Sequence, residues 1–238
     1  VCINGLRIGL YKTLIEMGAN MQCSNERKIN GELVADIRAC SSNLKGIIVP
    51  KSRASSMIDE YPILSIAATR ATGDTVMEGI EELRYKETDR IKTVCEGLQK
   101  IGIVTHETKD SMVVKGKGPD ASIIGDVEIN SNLDHRIAMS FLCLGLVTEK
   151  SITVNKAQSS QSHIFEDSKG ERMLAVYNEK KLSNEKKMPA FEFLSTQSYL
   201  VDTNWIEAAH FVAIQSKKHQ INCNTDIIKC SLFQKSVF

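Results

Sequence analysis

The residues best equipped for chemistry lie in three short stretches, each at the start of a helical pattern: SSMIDEYP (55–62), LRYKETDRI (83–91) and NLDHRIAMSFL (132–142). In the first, Ser56 stands three residues ahead of Asp59. That is the spacing of an S-x-x-D capping box, with Pro62 tolerated in the first turn. This reading makes Asp59 a cap, and the alternative makes it a catalytic carboxylate. In the second, five of nine residues are charged, and Lys86, Glu87 and Arg90 fall at a strand-to-helix turn. Unpaired backbone N–H groups at such a turn already favour anions. An arginine in a first helical turn is disfavoured by the helix dipole by about 0.3–1 kcal/mol, and a bound anion reverses that sign. The other reading is a solvated turn with a Glu87–Arg90 surface pair of little worth. In the third, Asp134 suits a helix N-terminus, whereas His135 and Arg136 bring positive charge to the positive end of the dipole. Either Asp134 neutralises them or they form a second anion site. Two helix starts with the same misfit point to a substrate with several negative groups, such as phosphate plus carboxylate. Arginine offers a planar fork for both.

Periodicity supplies the elements that must hold these residues. A helix is predicted over 9–17, with Leu10, Leu14 and Met17 on one face and Gly18 as its stop. Strands are predicted over 33–40 and 46–49, a helix over 57–71 and a strand over 75–83. A helix over 89–100 presents Ile91, Val94, Leu98 and Ile101, and Gly102 ends it. A hairpin over 103–108 and 111–115, a strand over 126–130, a helix over 134–146 and a strand over 151–155 complete the pattern. The order is mixed, hence an α/β (α+β) class. A helix–glycine–strand pattern occurs at 14–21 and again at 98–105, which suggests repeated building blocks.

Composition bounds the rest. With 238 residues, 42% hydrophobic and 25% charged, the chain suits one large or two small globular domains and is not wholly disordered. No apolar run of about 18 residues predicts a membrane-spanning helix. A net charge of +1 gives no electrostatic case for nucleic acid or an anionic membrane surface. The seven cysteines, Cys2, Cys23, Cys40, Cys95, Cys143, Cys223 and Cys230, are odd in number and never spaced as CxxC. They read as reduced thiols in a reducing, cytoplasmic setting, not as a disulfide framework or a zinc site. The start at Val1 shows no signal-peptide pattern and reads as the middle of a longer chain. Thirteen of the 14 glycines precede residue 167, while eight of the 13 aromatic residues follow it. This places a domain at 1–166, a charged linker at 167–190 and an unassigned tail at 191–238. A solvated run is expected at 178–187, and an amphipathic helix at 204–215.

The words GELVADIRACSSNLKGIIVP, SMIDEYPIL, ELRYKETDRI and LDHRIAMSFLCLGL, in this order and spacing, resemble the C-terminal half of the EPSP synthase family, the 3-phosphoshikimate 1-carboxyvinyltransferases. The resemblance covers about residues 1–166. It implies a fold of repeated βαβαββ-type units, here one incomplete domain plus the unassigned tail. It also implies transfer of the enolpyruvyl group of phosphoenolpyruvate to the 5-hydroxyl of shikimate 3-phosphate, with release of phosphate and with no metal or organic cofactor. By the same resemblance Asp59 is the candidate base and Glu87 the candidate proton donor. Lys86, Arg90, His135 and Arg136 are the candidate substrate-binding residues. The family is usually monomeric, and its N-terminal half, which completes the cleft, is not in this sequence. The stretch Asn4-Gly5-Leu6-Arg7-Ile8-Gly9 departs from the family's N-P-x-R-T-G pattern, and 159–167 fits only loosely. Two rivals follow: a catalytically inactive fragment, and the sister enolpyruvyl transferase acting on UDP-N-acetylglucosamine. The words around Glu87 and Arg136 favour EPSP synthase over the second.

Overall fold

The helix α2, Tyr61–Thr69, has no polar face and is buried at every position. A helix apolar all round belongs in a core. Its hydroxyls are satisfied within the helix: Ser65 donates to the Tyr61 carbonyl at 2.7 Å and Thr69 to the Ile66 carbonyl at 2.7 Å. Around α2 pack the helices α3, Arg90–Lys100, and α4, His135–Gly145, and the strand β6, Ser111–Lys117. The structure, a computed structural model, describes residues 1–156 and the backbone of 160–166 and 172–178.

The chain opens with α1, Gly9–Glu16, followed by the antiparallel hairpin of β1, Asn20–Ile29, and β2, Glu32–Cys40. Next come β3, Ile48–Val49, then α2, β4, Thr72–Glu78, α3, β5, Thr105–Glu107, and β6. Strands β3 and β4 are parallel, β6 is antiparallel to both β4 and β5, and the sheet order is β3-β4-β6-β5. This is one complete βαβαββ unit. A second parallel crossover runs from β7, Val127–Asn130, through α4 to β8, Ile152–Asn155. Antiparallel β9, Ser160–Glu166, and β10, Arg172–Asn178, extend that sheet. The expected mixed fold of repeated units is therefore present.

The repeat extends to single hydrogen bonds. After α1 the Gly18 N–H bonds the Ile15 carbonyl and the Ala19 N–H bonds the Leu14 carbonyl, both at 2.9 Å. After α3 the Gly102 N–H bonds the Gln99 carbonyl at 2.9 Å and the Ile103 N–H bonds the Leu98 carbonyl at 3.0 Å. Both glycines have positive φ, +94° and +80°. This helix stop suits a residue without Cβ. Each stop leads into a hairpin, so the helix–hairpin block occurs twice.

Several expectations are corrected. Strand β1 was anticipated only at its start, in the helix–glycine–strand pattern at 14–21, because its sequence alternates only through Met21 and Cys23 and is then polar. The strand expected over 75–83 ends at Glu78, and a 3-10 turn, Glu81–Tyr85, replaces its second half. The helix expected from 57 opens with a 3-10 turn, Ile58–Glu60, before α2 begins. The Ser56–Asp59 capping box does not form: Ser56 donates to the Arg53 carbonyl at 2.8 Å, and no side chain caps this turn or α2. The expected helix over 204–215 lies outside the described residues.

Five cysteines, Cys2, Cys23, Cys40, Cys95 and Cys143, are free thiols. Burial pushes the Cys95 thiol up to about 11 and the Cys143 thiol up to about 12, which keeps both un-ionised and unreactive. Among the described residues no helix is long and apolar enough to cross a membrane.

Candidate active site

Helices α3 and α4 start side by side because they touch further along. A Cβ added to Gly97 of α3 would lie 2.2 Å from the ring tip of Phe141 on α4, so only a hydrogen fits there. Both residues lie about two turns from their helix starts, at Arg90 and at His135. The Asp134 side chain is fully buried. Its Oδ1 accepts the backbone N–H groups of Arg136 at 2.9 Å and Ile137 at 3.3 Å, which caps α4. Its Oδ2 accepts Arg90 Nε at 2.7 Å. One carboxylate thus finishes α4 and fixes the first side chain of α3.

Arg90 is 1% exposed and spreads its fork over three elements. Besides Asp134, Nη1 donates to Asp59 Oδ1 at 3.1 Å, and Nη2 donates to Glu87. A charged side chain is that deeply buried only when paired. The Glu87–Arg90 pair of the alternative reading exists, with its Arg90 end buried and only its Glu87 end reaching solvent.

Asp59 sits on the 3-10 turn just ahead of α2 and is the meeting point of the cations. Besides Arg90, it lies 3.7 Å from Arg136 Nη2 and 3.8 Å from Lys86 Nζ. Arg136 Nη1 also donates to the Asp59 carbonyl at 3.3 Å. One of the two readings of this helix start has Asp134 neutralise Arg136. Its carboxylate instead meets the backbone of Arg136, and the guanidinium is compensated by Asp59 and by Glu60, 3.9 Å away. Asp59, Lys86, Glu87, Arg90 and Arg136 therefore form one network. His135, first residue of α4 and partly exposed, is joined to it by no hydrogen bond or ion pair among the described residues.

Lys86, Arg90 and Arg136 face five carboxylates: Asp59, Glu60, Glu82, Glu87 and Asp134. The cluster as it stands is not net cationic. An incoming anion must displace a carboxylate, helped by the partial positive charge of the helix starts. Glu87, at 46% side-chain exposure the most accessible carboxylate holding Arg90, is the one best placed to leave.

Three contributors were missed from the sequence. Arg84 bonds Asp89, the cap of α3, and Glu107, each at 2.8 Å, and so ties the turn before Lys86 to the β5–β6 hairpin. Thr88 donates to Asp134 at 3.4 Å. Glu60 is almost fully buried; burial pushes its carboxyl above the usual glutamate range, against the pull of Arg136 and Arg7. Dense charge marked the stretch around Arg84 but could not say which partners it would find. Among the described residues no group of three or more His, Cys, Asp or Glu is arranged to hold a metal.

Residues 1–163 match the family model of EPSP synthase (3-phosphoshikimate 1-carboxyvinyltransferase). The 3-phosphoshikimate 1-carboxyvinyltransferase of Chelativorans sp. strain BNC1 is 52% identical over 155 residues, 65% of this chain and 34% of that protein. That of Bartonella tribocorum is 54% identical over 155 residues, 65% of this chain and 35% of that protein. A solved structure of EPSP synthase from Acinetobacter baumannii superposes with a TM-score of 0.64 at 44% identity, covering 67% of this chain and 37% of that one. The chain spans about a third of the length of the curated relatives it matches.

Proposed function

The chain belongs to the EPSP synthase family, and from that membership we propose that its charged cluster serves enolpyruvyl transfer from phosphoenolpyruvate to the 5-hydroxyl of shikimate 3-phosphate. The observation that carries this is the convergence of three helix starts on Asp59, with Arg90, Arg136 and Lys86 within 4 Å of its carboxylate. In this reading Asp59 takes the hydroxyl proton while the oxygen attacks C2 of phosphoenolpyruvate. Glu87 delivers a proton to C3, giving a tetrahedral intermediate. Loss of a C3 proton then restores the double bond as the C2–O bond to phosphate breaks and phosphate leaves with the electron pair. Arg90, Arg136 and Lys86 hold the carboxylate and phosphate, with His135 beside them. Such proton transfers contribute roughly 10²–10⁴-fold, and positioned charge supplies much of the rest.

The geometry couples two of these roles. Glu87 has to carry a proton before it can donate one. Protonation also weakens its hold on Arg90 Nη2, which frees a donor for the ligand.

Residues 1–166 form in this reading part of a domain, with a linker to 190 and a tail beyond. Shikimate 3-phosphate needs the remaining two thirds of a relative to complete its cleft. The odd cysteine count and the free thiols support a reducing, cytoplasmic setting.

The test is a chimera in which residues 1–156 replace the matching segment of the Bartonella tribocorum relative. It is expected to release phosphate from the two substrates, and Glu87→Gln to lower turnover by ~10²-fold or more while phosphoenolpyruvate still binds. A chimera that folds, binds both substrates and releases no phosphate overturns the proposal and favours the second reading, an inactive remnant.

A further inference from the structure

The proposed reaction leaves Glu60 without a task, yet this carboxylate is only 5% exposed. The charged groups that act on it are Arg136 from α4, Arg7 from the segment before α1, and its neighbour Asp59. Arg136 spans residues 59 and 60, with Asp59 touching both ends of its fork and Glu60 only one. Nη1 donates to the Asp59 carbonyl at 3.3 Å and lies 3.9 Å from Glu60 Oε1, while Nη2 faces the Asp59 carboxylate at 3.7 Å.

We infer that Glu60 is a positioning residue: its buried carboxylate anchors Nη1 of Arg136 so that the Nη2 edge stays beside Asp59. The turn Ile58–Glu60 then carries both the proposed base and the anchor of the proposed anion grip, and moves them as one body. The negative charge matters here, not the bulk, because a neutral amide of the same size attracts a guanidinium far less. The consequence for ligand binding rests on the role of Arg136 proposed above, whereas the anchoring itself does not.

Burial raises the Glu60 carboxyl above its ordinary range, so it takes up a proton as the solution is made mildly acidic. Arg136 then loses one of the groups that hold it, while the Asp59 carbonyl and carboxylate remain in place. The ligand-free readout is nitrogen NMR of the chain labelled in arginine, with Arg136 assigned by loss of its signals in Arg136→Lys. At neutral pH the Nη1 and Nη2 groups are expected to rotate slowly. In Glu60→Gln they rotate about tenfold faster, the equivalent of one charge-assisted contact, while the Arg90 signals stay put. Acidifying the unmutated chain reproduces the change, and Glu60→Gln no longer responds. This titration stands in for the variant should Glu60→Gln not fold.

Calorimetry with phosphoenolpyruvate supplies the second arm: binding weakens about tenfold in Glu60→Gln, matching the lost contact. Arg136 rotation indifferent both to Glu60→Gln and to acid overturns the inference, whether or not phosphoenolpyruvate binds. If rotation responds as expected but phosphoenolpyruvate binds neither protein, the anchoring stands and the assignment of Arg136 to the ligand falls.

Discussion

Arg90 holds carboxylates from three elements with one planar group. In Arg90→Met, Asp134 keeps its backbone N–H partners but loses its counter-ion in a fully buried position. The expected loss is about 3–5 kcal/mol in urea unfolding, the cost of leaving a buried charge unpaired. Arg90→Lys should recover less than half of it, because an ammonium cannot reach Asp59, Glu87 and Asp134 together. Glu60→Gln should do the opposite. A folded-state pKa above the unfolded one contributes stability at low pH that is lost as pH rises through the folded value. The amide removes that loss, so Glu60→Gln melts higher than the unmutated chain at neutral pH, and the difference vanishes in acid. Melting curves from pH 4 to 8 check this. Arg90 and Arg136 were legible because a cation at a helix start is a local misfit, whereas Asp59 fits such a start and was singled out by the family resemblance. The Arg90–Asp134 bond and the burial of Glu60 were not, since their partners lie 44 and 76 residues away along the chain.

The helices were legible for a related reason: their apolar spacing is local and strong, and α3 and α4 lie within a residue or two of their predicted ranges. What spacing could not show is how closely they approach. Gly97→Ala gains up to about 1 kcal/mol of helix propensity but drives a methyl into Phe141, at about 1–3 kcal/mol for an overfilled core. The net effect should be destabilising, with a shift of the Arg90 and Asp134 signals in NMR, since this contact sets the two helix starts together. Gly97→Ala with Phe141→Leu should recover part of the loss. Tyr61, at the start of α2, has its hydroxyl buried without a hydrogen-bond partner among the described residues, and burial pushes the phenol up to about 12. Tyr61→Phe should therefore melt at the same temperature or higher, by up to about 1–3 kcal/mol of relieved desolvation. Most of strand β1 and the 3-10 turns escaped the sequence reading because neither has a long enough period to register.

As a molecule, residues 1–156 hold one complete βαβαββ unit flanked by partial ones. Residues Val1 to Ile3 already pair with β2: the Ile3 N–H bonds the Leu33 carbonyl and the Ala35 N–H bonds the Val1 carbonyl, each at 2.9 Å. The shape of the charged cluster is set within this chain, and in the proposed function the second substrate needs a surface from the remaining two thirds of a relative. The chain alone is expected to release little or no phosphate from shikimate 3-phosphate and phosphoenolpyruvate. Adding the upstream two thirds of a relative as a separate polypeptide should bring release above background. A coupled phosphate assay reads both, and full turnover by the chain alone would contradict the dependence on a second half.

The glycine stop shared by α1 and α3 carries a lesson about ancestry. Two stretches of chain that end a helix with the same pair of hydrogen bonds, then fold back into a ribbon, have the look of copies of one ancestral module. Their exits agree and their entrances do not: α3 opens on Arg90 behind its Asp89 cap, whereas α1 opens on Gly9 with no side-chain cap. Novelty was written at the front doors of a duplicated frame, and the back doors were left as they were.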